Sequence, residues 1–333
     1  MKFLITGITG FAGPHLANLL LKNGHEVHGI VRTANGRETD LLDIISNEDL
    51  SKIKFHYLDL KNYFSVDKLL KRETYDGVFH LAAQSHPPTS FKDPILTWDE
   101  NVNATVNMIT SLEGSDTKFM FCSTSEVYGD TCKDIGRLTV DTPLKPSNPY
   151  GASKAAIDLY IQERTSNGYL KGFVTRAFSH TGPRRGRIFS ISSDAAQIAA
   201  MELGLQEPIL KIGNLKTERV VIDVRDCVNA YYLLMLSNES NGKVFNVCGD
   251  EVHQMQKYTD LLIEHSKFDY DQVEQKIYEP YYRPIDIQVQ IGDSSNLKEI
   301  TNWKPKIDLS TTMKDLLNYW RKKFSRDIRE NIL

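Results

Sequence analysis

Tyr150 and Lys154 stand four residues apart at the start of a helical pattern, so both project from one face. A free phenol ionises near pH ~10, and lowering that by about three units to make a base near neutrality takes about 4 kcal/mol. A neighbouring ammonium and a positive ring bound beside it can supply that shift by charge proximity. Upstream, Ser123-Thr124-Ser125-Glu126-Val127-Tyr128-Gly129 sets hydroxyls next to a carboxylate, a combination suited to acid–base work on a sugar. On spacing alone, Glu126 serves as well as a turn cap. Near the N-terminus, Gly7-Ile8-Thr9-Gly10-Phe11-Ala12-Gly13 has the spacing GxxGxxG. Such a loop lets backbone N–H groups and a helix N-terminus approach a pyrophosphate.

These groups need a scaffold, and the apolar periodicity describes one. Strands are predicted over residues 2–6, 26–31, 52–57, 77–81, 118–122 and 172–176, with helices over 11–23, 95–113 and 150–166. Alternating strands and helices imply right-handed βαβ units and a Rossmann-type, doubly wound parallel sheet of the α/β class. The glycine loop then joins the first strand to the first helix, and Glu126 follows the carboxyl end of the fifth strand, where such sheets bind ligands. Beyond residue 178 the pattern loosens. A short strand at 244–247 and an amphipathic helix at 313–324 belong to a smaller C-terminal substrate-binding lobe. The division expected is residues 1–178 for the dinucleotide domain and 179–333 mainly for the lobe, with some segments returning to the first domain. The second strand ends in Arg32 rather than an acid. A guanidinium suits a 2′-phosphate, with Arg37 near enough to help, so the cofactor expected is NADP.

Composition removes other classes. The 333 residues are 41% hydrophobic and 25% charged, an ordinary globular balance, with a net charge of -3 and no basic excess for nucleic acid. Three arginines within residues 184–187, without interleaved aromatics, suit a phosphate or a subunit contact better. The four cysteines form no CxxC pair and the nine histidines no HExxH, so no metal is expected and the thiols read as reduced. No signal peptide and no membrane-spanning run is read, which points to the cytoplasm.

Taken together, GITGFAG, VHGIVR, HLAAQSH, STSEVYG, SNPYGASK, GPRRG, GNLKTERV, DVRD and RPID resemble the GDP-mannose 4,6-dehydratases over nearly the whole chain. The resemblance implies that Gly7, Thr9, Gly10, Phe11, Ala12 and Gly13 cradle the pyrophosphate and that Arg32 faces the 2′-phosphate. Asp59 and Leu60 would border the adenine, and Leu81, Ala82 and Ala83 would lie along the cofactor. Tyr150 and Lys154 would drive hydride transfer, Thr124 would bond the sugar 4-oxygen, and Glu126 would be the second base. Ser85, Ser125, Ser179, Arg184, Asn214, Arg219 and Arg283 would contact the substrate. In the implied reaction, a hydride leaves C4 as Tyr150 takes the 4-hydroxyl proton. Glu126 then removes the C5 proton, water leaves from C6, and the hydride returns at C6. The Thr-Ser-Glu form is like the GDP-mannose enzymes, whereas the dTDP-glucose enzymes carry Asp where Ser125 stands.

Three departures fall in the substrate lobe. Ser179 replaces the family's usual Asn, residues 191–194 read Ile-Ser-Ser-Asp where a Lys is usual, and Asp286 replaces a Glu. A GDP-heptose or another GDP-hexose therefore stands beside GDP-mannose as substrate. The GDP-4-keto-6-deoxymannose reductases share the glycine loop, YxxxK, GNL, DVRD and a Glu at the position of Glu126, usually with Ser where Thr124 stands, and are the alternative enzyme. A non-catalytic NADP-binding regulator is the alternative of another class. A homodimer or homotetramer is expected, because relatives pair through the helices flanking the fifth strand. Ala155, Ile157, Leu159 and Ile161 also offer more apolar positions than one buried stripe needs.

Overall fold

The computed structural model describes residues 1–34, 36–282 and 287–330. Strands β1 (Lys2–Thr6), β2 (Glu26–Val31), β3 (Lys54–Tyr57), β4 (Gly77–His80), β5 (Lys118–Thr124) and β6 (Gly172–Ala177) share one sheet with Val244–Val247. The order across the sheet is Val244–Val247, β6, β5, β4, β1, β2, β3, and every pairing is parallel. This is the doubly wound sheet that the alternation of strands and helices predicts. The strands read as near-continuous apolar runs because helices cover both faces.

One face packs α1 (Ala12–Lys22) and the helix Val224–Leu236 over a core that includes Phe3, Ile5, Leu16, Leu20, Tyr231 and Phe245. The other face buries Leu4, Val78, Phe119, Met108, Ile109, Ile157 and Ile161 under the helices Tyr63–Arg72, Ala104–Leu112 and Pro149–Ser166. A second core, with Ile198, Leu262, Leu316, Leu317 and Trp320, joins the helices Ser190–Glu202, Met255–Glu264 and Leu309–Arg329. The sheet and this second core enclose a cleft at the carboxyl ends of the strands.

Three expectations change. The strand at residues 244–247, read as part of the smaller lobe, is instead the edge strand of the main sheet, paired with β6. The helix read over residues 95–113 is interrupted by a π-helical turn, Asp99–Asn103, between Pro94–Trp98 and Ala104–Leu112. That wider turn brings Asn101 to Ser153 and Gln84, at 2.9 Å and 3.0 Å from its side-chain amide. In the helix Pro149–Ser166, Ala155, Ile157 and Ile161 are buried within the chain itself, and only Leu159 of the four is exposed. The apolar excess is absorbed by β5, β6 and the π turn packed around the helix, so it is no argument for an interface.

Candidate active site

The cleft is a cavity of about 930 Å³, within the size range of cofactor and ligand sites. The glycine loop forms one end. Gly7 has φ +69°, and a Cβ there would sit 2.8 Å from the Ala82 nitrogen. At Gly13 a Cβ would meet the Ile8 carbonyl oxygen at 2.4 Å. Side chains are thus excluded where β1, β4 and α1 converge, which leaves backbone N–H groups and the N-terminus of α1 facing the cavity, a cradle fitted to a dinucleotide diphosphate. Thr6 Oγ1 accepts from the Ala82 N–H at 3.1 Å, and His80, bonded to Thr6 and Thr105, steadies the strand behind it.

At the far end of β2, Arg32 lines the cavity with its side chain 61% exposed and ion-paired to Glu100, which Lys61 also meets at 3.3 Å. Asp59, Leu60, Leu81, Ala82 and Ala83 line the stretch between Arg32 and the centre.

The centre is built by β5 and the helix Pro149–Ser166. Thr124 ends β5, and its hydroxyl accepts from the Glu126 N–H at 3.3 Å, so the strand turns at once into the short 3-10 turn Ser125–Tyr128. Asn148 is the helix N-cap: its Oδ1 accepts from the Gly151 N–H at 2.8 Å, and its Nδ2 donates to Glu126 Oε2 at 2.8 Å. Pro149 at the first helical position completes this start. One residue therefore begins the helix that carries Tyr150 and Lys154 and orients the Glu126 carboxylate. The Thr124 and Tyr150 side chains both line the cavity at this point.

Burial governs the charges here. The Tyr150 phenol is pushed well above its ordinary range by burial, with Cys122 and Glu126 adding to the shift and Thr124 and Arg185 opposing it. Lys154 is 3% exposed, and burial lowers its ammonium to about 8; it sits 4.2 Å from the centre of the Phe121 ring. In the chain alone, the lowering expected for the tyrosine is outweighed by desolvation.

Ser85, Ser125, Ser179, Asn214 and Arg219 line the same cavity as Thr124, Glu126, Tyr150 and Lys154. Arg283 and Asp286 lie outside the described residues. Arg184, expected on the substrate, does not line the cavity: it has φ 73°, and its guanidinium donates to the Thr9 and Gly10 carbonyls behind the glycine loop. Its neighbour Arg185 enters the cavity instead, 3.5 Å from the Phe189 ring centre and 4.8 Å from that of Phe11, with burial pulling it down to about 10. The sequence carries no signal for this exchange, nor for Glu100 and Asn101. Asn148, in contrast, was legible as Asn before Pro at a helix start. Asp194 also lines the cavity; it accepts from Thr259 Oγ1 at 2.9 Å, and burial raises it to about 7.

Comparison with known proteins agrees with this architecture. Residues 4–316 match the family described as GDP-mannose 4,6 dehydratase. The chain is 30% identical to GDP-mannose 4,6 dehydratase 1 of Arabidopsis thaliana, over 95% of this chain and 88% of that one. It is also 30% identical to the GDP-6-deoxy-D-mannose reductase of Pseudomonas aeruginosa, over 96% and 97%. Among solved structures, RMD from Pseudomonas aeruginosa complexed with NADPH superposes with a TM-score of 0.81 at 26% identity, over 97% of this chain and 99% of that one. Glycine cradle, Thr-Ser-Glu turn and YxxxK helix thus stand on a chain that matches along nearly its whole length, and it belongs to the GDP-mannose 4,6-dehydratase family.

Proposed function

We propose that this chain is an NADP-dependent sugar-nucleotide 4,6-dehydratase that converts a GDP-hexose, GDP-mannose or a related GDP-sugar, into its 4-keto-6-deoxy derivative. The observation that carries this reading is the carboxylate of Glu126, held by Asn148 on the wall that also presents Thr124 and Tyr150. One carboxylate beside a tyrosine supplies a C5 base in addition to the group that handles the 4-hydroxyl proton. When bound, NADP supplies a hydride acceptor for C4 that is restored at C6, and a positive ring beside the phenol.

The chain's own residues do the rest. The glycine loop would hold the cofactor's diphosphate, and Arg32, paired with Glu100 in the chain alone, would turn to the 2′-phosphate. Tyr150 takes the 4-hydroxyl proton while Thr124 donates to the 4-oxygen. Glu126 takes the proton from C5, made acidic by the new ketone, and returns it to the departing 6-hydroxyl; as the hydride returns at C6, a proton from solvent completes C5.

A second reading, reduction of a 4-keto-6-deoxy sugar nucleotide, is favoured by the Pseudomonas aeruginosa reductase, which matches over as much of the chain as the dehydratases do. The two separate in deuterated water. With a GDP-hexose, a dehydratase gives a product lighter by one water, carrying deuterium at C5, with no net loss of NADPH. Stoichiometric NADPH consumption on a 4-keto substrate, with no reaction on the unmodified sugar nucleotide, would establish the reductase instead. We also read the protein as a homodimer or homotetramer; light scattering that gave a monomer at working concentrations would rule this out.

A further inference from the structure

Arg184 is held in an unusual way. Its backbone lies in the left-handed region at φ 73°, which a side chain adopts at a cost and keeps only where the surroundings demand it. What demands it is Asp43. This carboxylate receives Arg184 Nη1 at 3.4 Å, Arg326 Nη1 at 3.1 Å and the Tyr319 hydroxyl at 3.4 Å, the last two from the helix Leu309–Arg329. Arg184 also donates to the Asp40 carbonyl. With Asp43 and Asp40 gripping one side, the other nitrogen of the guanidinium reaches the carbonyls of Thr9 at 3.0 Å and Gly10 at 3.3 Å.

Those two carbonyls belong to the glycine loop. A trans peptide is planar, so its C=O and the N–H of the following residue point opposite ways. The Gly10 N–H is already engaged by the Gly7 carbonyl at 2.9 Å. Fixing the Gly10 carbonyl outward leaves the Phe11 N–H directed into the cavity, at the N-terminus of α1. A cation on the carbonyl side also draws electron density from the peptide and strengthens the N–H as a donor.

We propose that Arg184 is a positioning residue for the cofactor diphosphate, acting from behind the glycine loop, with Asp43 setting its geometry. The inference rests on the reading that the loop holds a dinucleotide. It also links two sites, because the next residue, Arg185, turns inward and lies over the Phe11 ring and Phe189. The turn that steadies the loop from outside therefore lines the substrate cavity from inside.

The test compares two ligands on the full chain by titration calorimetry. NADP(H) uses the diphosphate contacts; adenosine 2′-monophosphate has the adenine and 2′-phosphate but no diphosphate. Arg184→Gln and Asp43→Asn are each expected to weaken NADP(H) binding by about tenfold or more, the size of one lost charged hydrogen bond. Binding of adenosine 2′-monophosphate should change less than about twofold, and Arg184→Lys should recover part of the loss, since a single ammonium can reach a carbonyl but not span two. Undiminished NADP(H) affinity in either variant overturns the inference and leaves the dehydratase reading standing, as does an equal loss for both ligands, which would mark a structural role. Failure of the unmodified protein to bind NADP(H) at all overturns both.

Discussion

Burial pushes Tyr150 and Lys154 toward their neutral forms from opposite directions, the phenol upward and the ammonium down to about 8. In the proposed reaction, a positive charge beside the phenol is what would lower it again toward a base. Glu126 is placed by the hydrogen bond that Asn148 donates to it and lines the same cavity. The two groups should therefore fail differently. Tyr150→Phe is expected to stop turnover before any hydride moves, with a fall in kcat of about 10²–10⁴-fold. Glu126→Gln is expected to allow oxidation at C4 and stall there, so rapid quenching should find bound cofactor reduced and no 4-keto-6-deoxy product. Normal product formation by the Gln variant would remove Glu126 from the mechanism.

The helix Pro149–Ser166 has to hold its first turn in register with the end of β5. Two ties do this: Asn148 at the N-cap, and the buried pair of Arg176 with Asp158 at 2.9 Å, which fastens the helix to β6. Asn148 caps the helix through one atom and holds Glu126 through the other, and substitutions can separate the two. Asn148→Ala removes both, with a stability loss of about 1 kcal/mol and a fall in rate. Asn148→Asp keeps an acceptor for the Gly151 N–H, so the melting temperature should stay close to that of the unmodified protein. Its second oxygen would face Glu126 as a like charge, and the rate should fall at least as far as in the Ala variant. Equal rates for the Asn148→Asp variant and the unmodified protein would show that the amide does not orient Glu126.

Across the whole molecule, several imidazoles are buried where they cannot charge. Burial lowers His15, His56 and His180 to about 4, and His80 to about 3. Their unfolded value is near 6.5, so the unfolded chain binds more protons below that pH. The stability they contribute is complete above about 6.5 and is lost as pH falls through the folded values. Asp194, raised to about 7, works the other way: the folded chain holds its proton more tightly, so its contribution grows as pH falls below 7. Four groups oppose one, and the melting temperature should drop by several degrees between about pH 6.5 and pH 4. A flat melting curve over that window would show that these sites stay accessible to protons. Among the described residues, no helix is long and apolar enough to cross a membrane.

Local sequence was enough for strands β1 to β6, the glycine loop ahead of α1, the YxxxK helix, and the place of Thr124 and Glu126 at the end of β5. Each of these rests on short-range regularities: apolar periodicity, the conformational freedom of glycine, and the spacing of side chains along a helix face. Asn148 was open to the same reasoning. Which of two adjacent arginines enters the cavity emerges only in the folded chain, because the choice depends on Asp43, 141 residues away in sequence, and on the helix Leu309–Arg329 behind it. The same holds for the π turn that delivers Asn101 to Ser153, for the meeting of Glu100 with Arg32, and for the burial of the apolar side chains of the helix Pro149–Ser166 inside the chain. Those outcomes follow from packing between distant segments, where the winning contact is set by what else competes for the same space, and no spacing along the chain encodes that competition.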